Sequence, residues 1–110
     1  MLTEEVRYRL LKLLEARPKL SQRDVARELG TSLGKVNYCL KALIDRGLVK
    51  AVNFRNSNNK VAYMYLLTPR GIEAKAQVTA AFLKSKMHEY EALKAEIENL
   101  RQEAQTLARR

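Results

Sequence analysis

One short stretch of this 110-residue chain carries most of its chemical potential. In the run TSLGKVNYCLK, from Thr31 to Lys41, Gly34, Asn37, Tyr38 and Lys41 fall at steps of three, one and three residues. That spacing puts them on one side of a helix, with Lys35 and Leu33 beside them. An asparagine amide such as Asn37 can pair with both hydrogen-bonding edges of adenine, and Lys35 can reach guanine or a phosphate. Tyr38 can hydrogen-bond a phosphate or pack on a thymine methyl. Gly34 removes a side chain where such a helix would meet a duplex, at about 1 kcal/mol relative to Ala within a helix. Ser21, Gln22 and Arg23 upstream, with Thr31 and Ser32, offer the hydroxyls, amide and cation that phosphate oxygens accept from. Ser21 and Ser32 are also placed to cap helices, and for Ser21 capping is the first role. Downstream, Arg55 and Lys60 flank a polar run, Asn58 within it, that suits the minor groove or phosphates. The same cations would blunt the edge of a strand.

Catalysis finds no such constellation. One Cys and one His leave no structural zinc site, disulfide framework or Cys–His nucleophile pair. Carboxylates are scattered and there is no glycine-rich phosphate loop. Catalytic residues, metal ligands and cofactors are therefore all expected to be none, and the chain is read as not an enzyme. Cys39 falls with Val36 and Leu43 on the inner side of its helix, so it reads as core rather than as a redox switch. His88 has no metal partner and reads as surface.

The charge agrees with a polyanionic partner. Lys and Arg number 21 against 12 Asp and Glu, a formal +9. Residues 1–70 hold 14 basic and 6 acidic side chains, whereas residues 71–110 hold 7 and 6. A nucleic acid would meet the first seventy residues, and the remainder must serve something else. The opening MLTEEVRYRLLKLLEAR has acids at once and is no signal peptide. The longest apolar run, Val61 to Leu67, is far short of a membrane span of ~18 residues. The expectation is a cytoplasmic protein with no membrane partner.

The elements that must hold these residues can be read from caps and periodicity. Thr3 caps a first helix reaching about Arg17, with Val6, Leu10, Leu13 and Leu14 as its apolar stripe and Pro18 as its stop. Ser21 caps a second, Gln22 to Leu29, with Asp24 reaching back to the Ser21 amide and Leu20 and Val25 as a hydrophobic staple. Gly30 makes the turn, and Thr31-Ser32 cap a third helix, Leu33 to Arg46, closed by Gly47. Its inner side carries Val36, Cys39, Leu40, Leu43 and Ile44. Two capped helices meeting at a glycine turn make a helix-turn-helix. From Leu48 the period changes to strands, Leu48–Arg55 and Val61–Leu67, joined by the asparagine-rich tip 56–60. A helix-turn-helix with that hairpin is a winged helix.

Thr68-Pro69 opens a last helix that meets no breaker after Gly71. Its apolar residues settle into a seven-residue repeat: Tyr90, Ile97 and Ala104 at the first core position, Leu93, Leu100 and Leu107 at the second. Glu89 and Glu96 on one flank would face Lys94 and Arg101 of a parallel partner, whereas an antiparallel partner would bring like charges together. The tail therefore predicts a parallel homodimer through a coiled coil. The fold class is mainly α: a winged helix-turn-helix of three helices plus a β-hairpin wing over residues 1–68, and a dimerisation helix over 69–110.

The stretch Leu20 to Thr68 resembles the winged-helix DNA-binding domain of MarR-type bacterial transcriptional regulators. SLGKVNYCLKALIDRGLVK, the hairpin after it and LTPRGIEA are similar to one subgroup, the short regulators associated with exopolysaccharide gene clusters. The resemblance implies a transcription regulator of exopolysaccharide biosynthesis genes. Together with the residue pattern, it leads to the expectation of a homodimer binding double-stranded DNA at an inverted repeat. Two other readings remain open at this point: a winged-helix adaptor whose coil binds another protein, and an architectural DNA binder indifferent to sequence. The sequence specifies no small-molecule effector.

Overall fold

The computed structural model describes residues 3–109. Its elements follow the order α1 (Glu4–Ala16), α2 (Gln22–Leu29), α3 (Leu33–Asp45), β1 (Val49–Arg55), β2 (Val61–Leu67) and α4 (Pro69–Ala108). The molecule is mainly helical, a winged helix-turn-helix with a two-stranded antiparallel wing and a long C-terminal helix. Each sequence boundary lies within a residue or two of the observed one.

Caps explain why the helices begin where they do. The side-chain oxygens of Thr3, Ser21, Ser32 and Thr68 accept from the backbone amides of Val6, Asp24, Lys35 and Gly71. Each satisfies an amide that the first turn leaves without a helical partner. The reciprocal half of the α2 box does not form. Asp24 accepts instead from Arg27 Nη1 at 3.2 Å, one turn along the helix. An aspartate is a methylene shorter than the glutamate that usually reaches back. Gly30 ends α2 at φ 67°, the left-handed geometry of a helix terminus that glycine adopts without a Cβ penalty.

The core gathers Leu10 and Leu14 of α1, Val25, Ala26 and Leu29 of α2, and Val36 and Leu40 of α3. Val49 and Tyr65 of the wing close it, with Cys39 and Leu43 packed at its margin. Ile44, expected on the inner side, is 36% exposed. At 3.6 residues per turn it lies about 80° round from Val36, at the border of the stripe. Leu11, absent from the expected stripe, is only 1% exposed and lies outside this cluster. It belongs to a second stripe of α1, at Glu4, Tyr8, Leu11 and Glu15, that faces α4. Tyr8 packs against Phe82 with ring centroids 5.1 Å apart. Lys75 Nζ donates to Glu15 at 2.6 Å and Ser85 Oγ to Glu4 at 2.9 Å. The two helices run antiparallel as far as about Ser85, and beyond it α4 continues alone.

In the wing, Val49 pairs with Leu67 and Arg55 with Val61, so register is fixed over the whole hairpin. Tyr65 also donates its backbone amide to Pro18 O at 2.9 Å, tying the α1–α2 connection to the outer edge of β2. The start of α4 is seated on the end of the α3–β1 turn. Thr68 donates its amide to Leu48 O at 3.1 Å and its hydroxyl to Gly47 O at 2.6 Å. A Cβ on the buried Gly71 would lie 1.9 Å from Leu48 O, so only glycine allows this approach.

Candidate nucleic-acid interface

The outer face of α3 presents Leu33, Gly34, Lys35, Asn37, Tyr38 and Lys41, all exposed, with Tyr38 at 74%. The opposite face is locked down by Val36 and Leu40, so the helix cannot rotate these side chains out of the way. Among the described residues, the side chains of Lys35, Asn37, Tyr38 and Lys41 make no hydrogen bond or ion pair within the protein. A Cβ on Gly34 would meet nothing within 4 Å, so no internal contact requires glycine there. The ridge is a set of donors, one amide and one aromatic ring, all without internal partners.

Around that ridge the sequence candidates divide into committed and uncommitted side chains. Ser21 and Ser32 hold the amides of Asp24 and Lys35 at 3.1 and 3.2 Å. Gln22 Nε2 donates to the Tyr65 hydroxyl at 2.9 Å, bracing the start of α2 against β2. Arg55 Nη1 donates to Asn59 O at 3.0 Å and so closes the wing tip. By contrast Arg23, Asn58 and Lys60 are exposed, with side chains that have no hydrogen-bond or ion-pair partner among the described residues, and Thr31 is half-buried. The tip itself is built by Asn56, whose Oδ1 accepts from the amides of Asn58 and Lys60 at 2.9 and 3.1 Å. Asn59 takes φ 59° in that turn, a backbone region asparagine tolerates.

Between the wing and the start of α2 lies an open cleft of about 340 Å³, lined in part by Lys19, Ser21, Phe54 and Tyr63. Lys19 Nζ stands 5.4 Å from the centre of the Phe54 ring, within cation–π range. In the sequence Lys19 counts only as charge. Its place in the connection before Ser21 gives no sign of a contact with a hairpin more than thirty residues on. Tyr63, 57% exposed on β2, is likewise no candidate by its sequence position.

The tail residues Tyr90, Leu93, Ile97, Leu100, Ala104 and Leu107 are all exposed. Lys86 Nζ donates to Glu89 at 3.2 Å, and Lys94 Nζ sits 5.4 Å over the Tyr90 ring. No cluster of metal-binding side chains occurs among the described residues. No helix there is long and apolar enough to cross a membrane.

Residues 3–50 match the family described as winged helix-turn-helix DNA-binding. No curated protein matches the chain. Among solved structures, the PcaV transcriptional regulator from Streptomyces coelicolor is 24% identical over 72% of this chain and 57% of its own, with a TM-score of 0.59. The multiple antibiotic-resistance repressor MarR from Listeria monocytogenes is 21% identical over 96% of this chain and 73% of its own, with a TM-score of 0.55. A MepR variant from S. aureus is 21% identical over 90% and 77%, with a TM-score of 0.61. This chain thus spans little more than half the length of the PcaV regulator. At these identities the likeness is one of fold.

Proposed function

We propose that this chain is a sequence-specific, double-stranded-DNA-binding transcriptional regulator of the MarR type, working in the cytoplasm without catalytic activity. The observation that carries the reading is the α3 ridge. Four side chains able to address bases or phosphates stand exposed and unpartnered beside a glycine that no internal contact requires. A helix of this kind is what the major groove admits. The residues assigned to bases are Lys35, Asn37 and Tyr38, with Leu33 for a thymine methyl and Lys41 for the groove edge. Arg23, the free amides at the start of α2, and Lys60 take phosphates. Gln22 and Arg55 act by holding α2 and the wing tip in place. The MarR regulator from Listeria monocytogenes, described as a multiple antibiotic-resistance repressor, has the same fold, which supports assigning transcription as the process. Exopolysaccharide genes as the target follow from the resemblance of SLGKVNYCLKALIDRGLVK alone.

Residues 1–68 serve as the reading head and residues 69–110 as the dimerisation segment. The exposed repeat from Tyr90 to Leu107 supports a parallel homodimer, with Glu89 and Glu96 beside the partner's basic flank. Two heads related by a two-fold axis would read an inverted repeat whose half-sites are ~10 base pairs apart or a multiple of that.

The test is a titration of labelled duplex from the gene's own upstream region, beside a scrambled duplex, at two salt concentrations. Tight binding to the native duplex alone, surviving the higher salt, is the expected result. Equal, salt-sensitive binding to both would replace sequence reading by architectural binding. Binding to neither would overturn the DNA assignment in favour of an adaptor.

A further inference from the structure

The exposed apolar stripe of α4 does not begin at Tyr90. Carried back toward the N-terminus in the same alternating steps of three and four, the repeat reaches Lys86, Leu83, Thr79, Ala76 and Ile72. Ile72 is 53% exposed and Leu83 59%, and Met87, which flanks Leu83 one turn on, is 60% exposed. These residues stand clear because α1 covers a different side of the helix, the one bearing Lys75, Phe82 and Ser85. We infer that the seam between two copies of this chain runs the full length of α4, from Ile72 to Leu107, and that Lys86 is its single charged core residue. The inference rests on the proposed parallel homodimer and extends it.

Three observations identify a second copy as the occupant. The tail seam alone covers about two and a half heptads, short of the three to four a coiled coil needs, whereas Ile72 to Leu107 covers about five. A helix running parallel along the tail must pass over this face, since the two stripes share one repeat. The flanks also match only in a parallel, in-register pair. Glu89 and Glu96 would meet Lys94 and Arg101 of the partner, whereas at the base the flank at Phe82 is taken by Tyr8 of α1 and the seam there rests on Ile72, Ala76 and Leu83. An antiparallel pair would set the apolar base against the charged end of the tail.

Lys86 already has its charge accommodated on its own chain, by Glu89 at 3.2 Å and the Phe82 ring at 5.3 Å. Its ammonium is drawn to the α1 side and its aliphatic stem is left for the seam. A single charged residue in a coiled-coil core lowers stability while fixing register and the number of strands. Lys86 is therefore a specificity residue for pairing, near the junction of head and tail.

The experiment uses full-length protein with Cys39→Ala, carrying one new cysteine at a time in place of Ala76, Leu83 or Leu100, under mild oxidation. Crosslinked dimer from all three variants is expected. Crosslinking through position 100 alone would end the seam above the base and overturn this inference while leaving the dimer intact. Crosslinking at none would sink the parallel homodimer itself. In parallel, sedimentation of Lys86→Leu should show a dimer dissociation constant at least tenfold lower, or assemblies beyond the dimer. An unchanged constant with unchanged stoichiometry would place Lys86 outside the interface.

Discussion

Gly34 offers the sharpest test at the scale of single residues, because folding and binding pull it in opposite directions. An alanine there meets open space and gains helix propensity. Gly34→Ala should raise the stability of the fold by up to about 1 kcal/mol, read as a higher urea midpoint. On the proposed interface the added methyl intrudes on the duplex, so affinity for the operator should fall in the same protein. A rise in both would remove the helix from the groove. Asn37→Ala should cost about 1–3 kcal/mol of operator affinity and relax selectivity at one base pair, as measured with a panel of single-base operator variants. Lys60→Ala should weaken binding evenly across all sequences and lower the salt slope by about 1. Residue types at helical spacing make this face legible in the sequence. Gln22 and Arg55 are not separable from it there, because their partners, the Tyr65 hydroxyl and Asn59 O, lie across the fold or inside a turn whose shape no spacing reveals.

Among the elements, the seat of α4 on the α3–β1 turn is the joint on which the rest depends. Gly71→Ala places a methyl against Leu48 O, and backbone at both sides of the contact leaves little to give way. It should cost about 1–3 kcal/mol, the range of an overpacked core, with the loss visible as a lower urea midpoint at unchanged slope. In the sequence Gly71 is only the last possible helix breaker. Its need arises from a carbonyl twenty-three positions away, which local pattern cannot see. The helices and the wing are legible for the opposite reason. Thr3, Ser21, Ser32 and Thr68 are caps whose partners lie three residues on, and the β-branched and aromatic runs after Leu48 change the period at once. Leu11 shows the limit between these cases. Its stripe is apolar only at Tyr8 and Leu11, since Glu4 and Glu15 meet α4 through Ser85 and Lys75. A face built half from polar contacts carries no hydrophobic period to find.

The whole molecule measures 73 × 28 × 22 Å, long because α4 runs forty residues without a break. Its basic excess sits in the head, so encounter with DNA should be fast at low salt and slow steeply as salt rises. Leu100→Asp in the tail should leave the head folded, shift sedimentation to the monomer and abolish tight binding to a two-half-site duplex. Weak binding to a single half-site should persist.

Because α1 grips only the first half of α4, the proposed dimer would be a pair of callipers whose hinge lies close to its jaws. The gap between the two reading helices would be set where Thr68 and Gly71 meet Leu48, and the free end of the tail would clamp the handles without choosing the gap. Length in the handle should then be nearly free, provided it comes in whole repeats. Seven residues inserted after Ile97 would keep the operator spacing unchanged, whereas two would turn one stripe away from its mate and undo the grip.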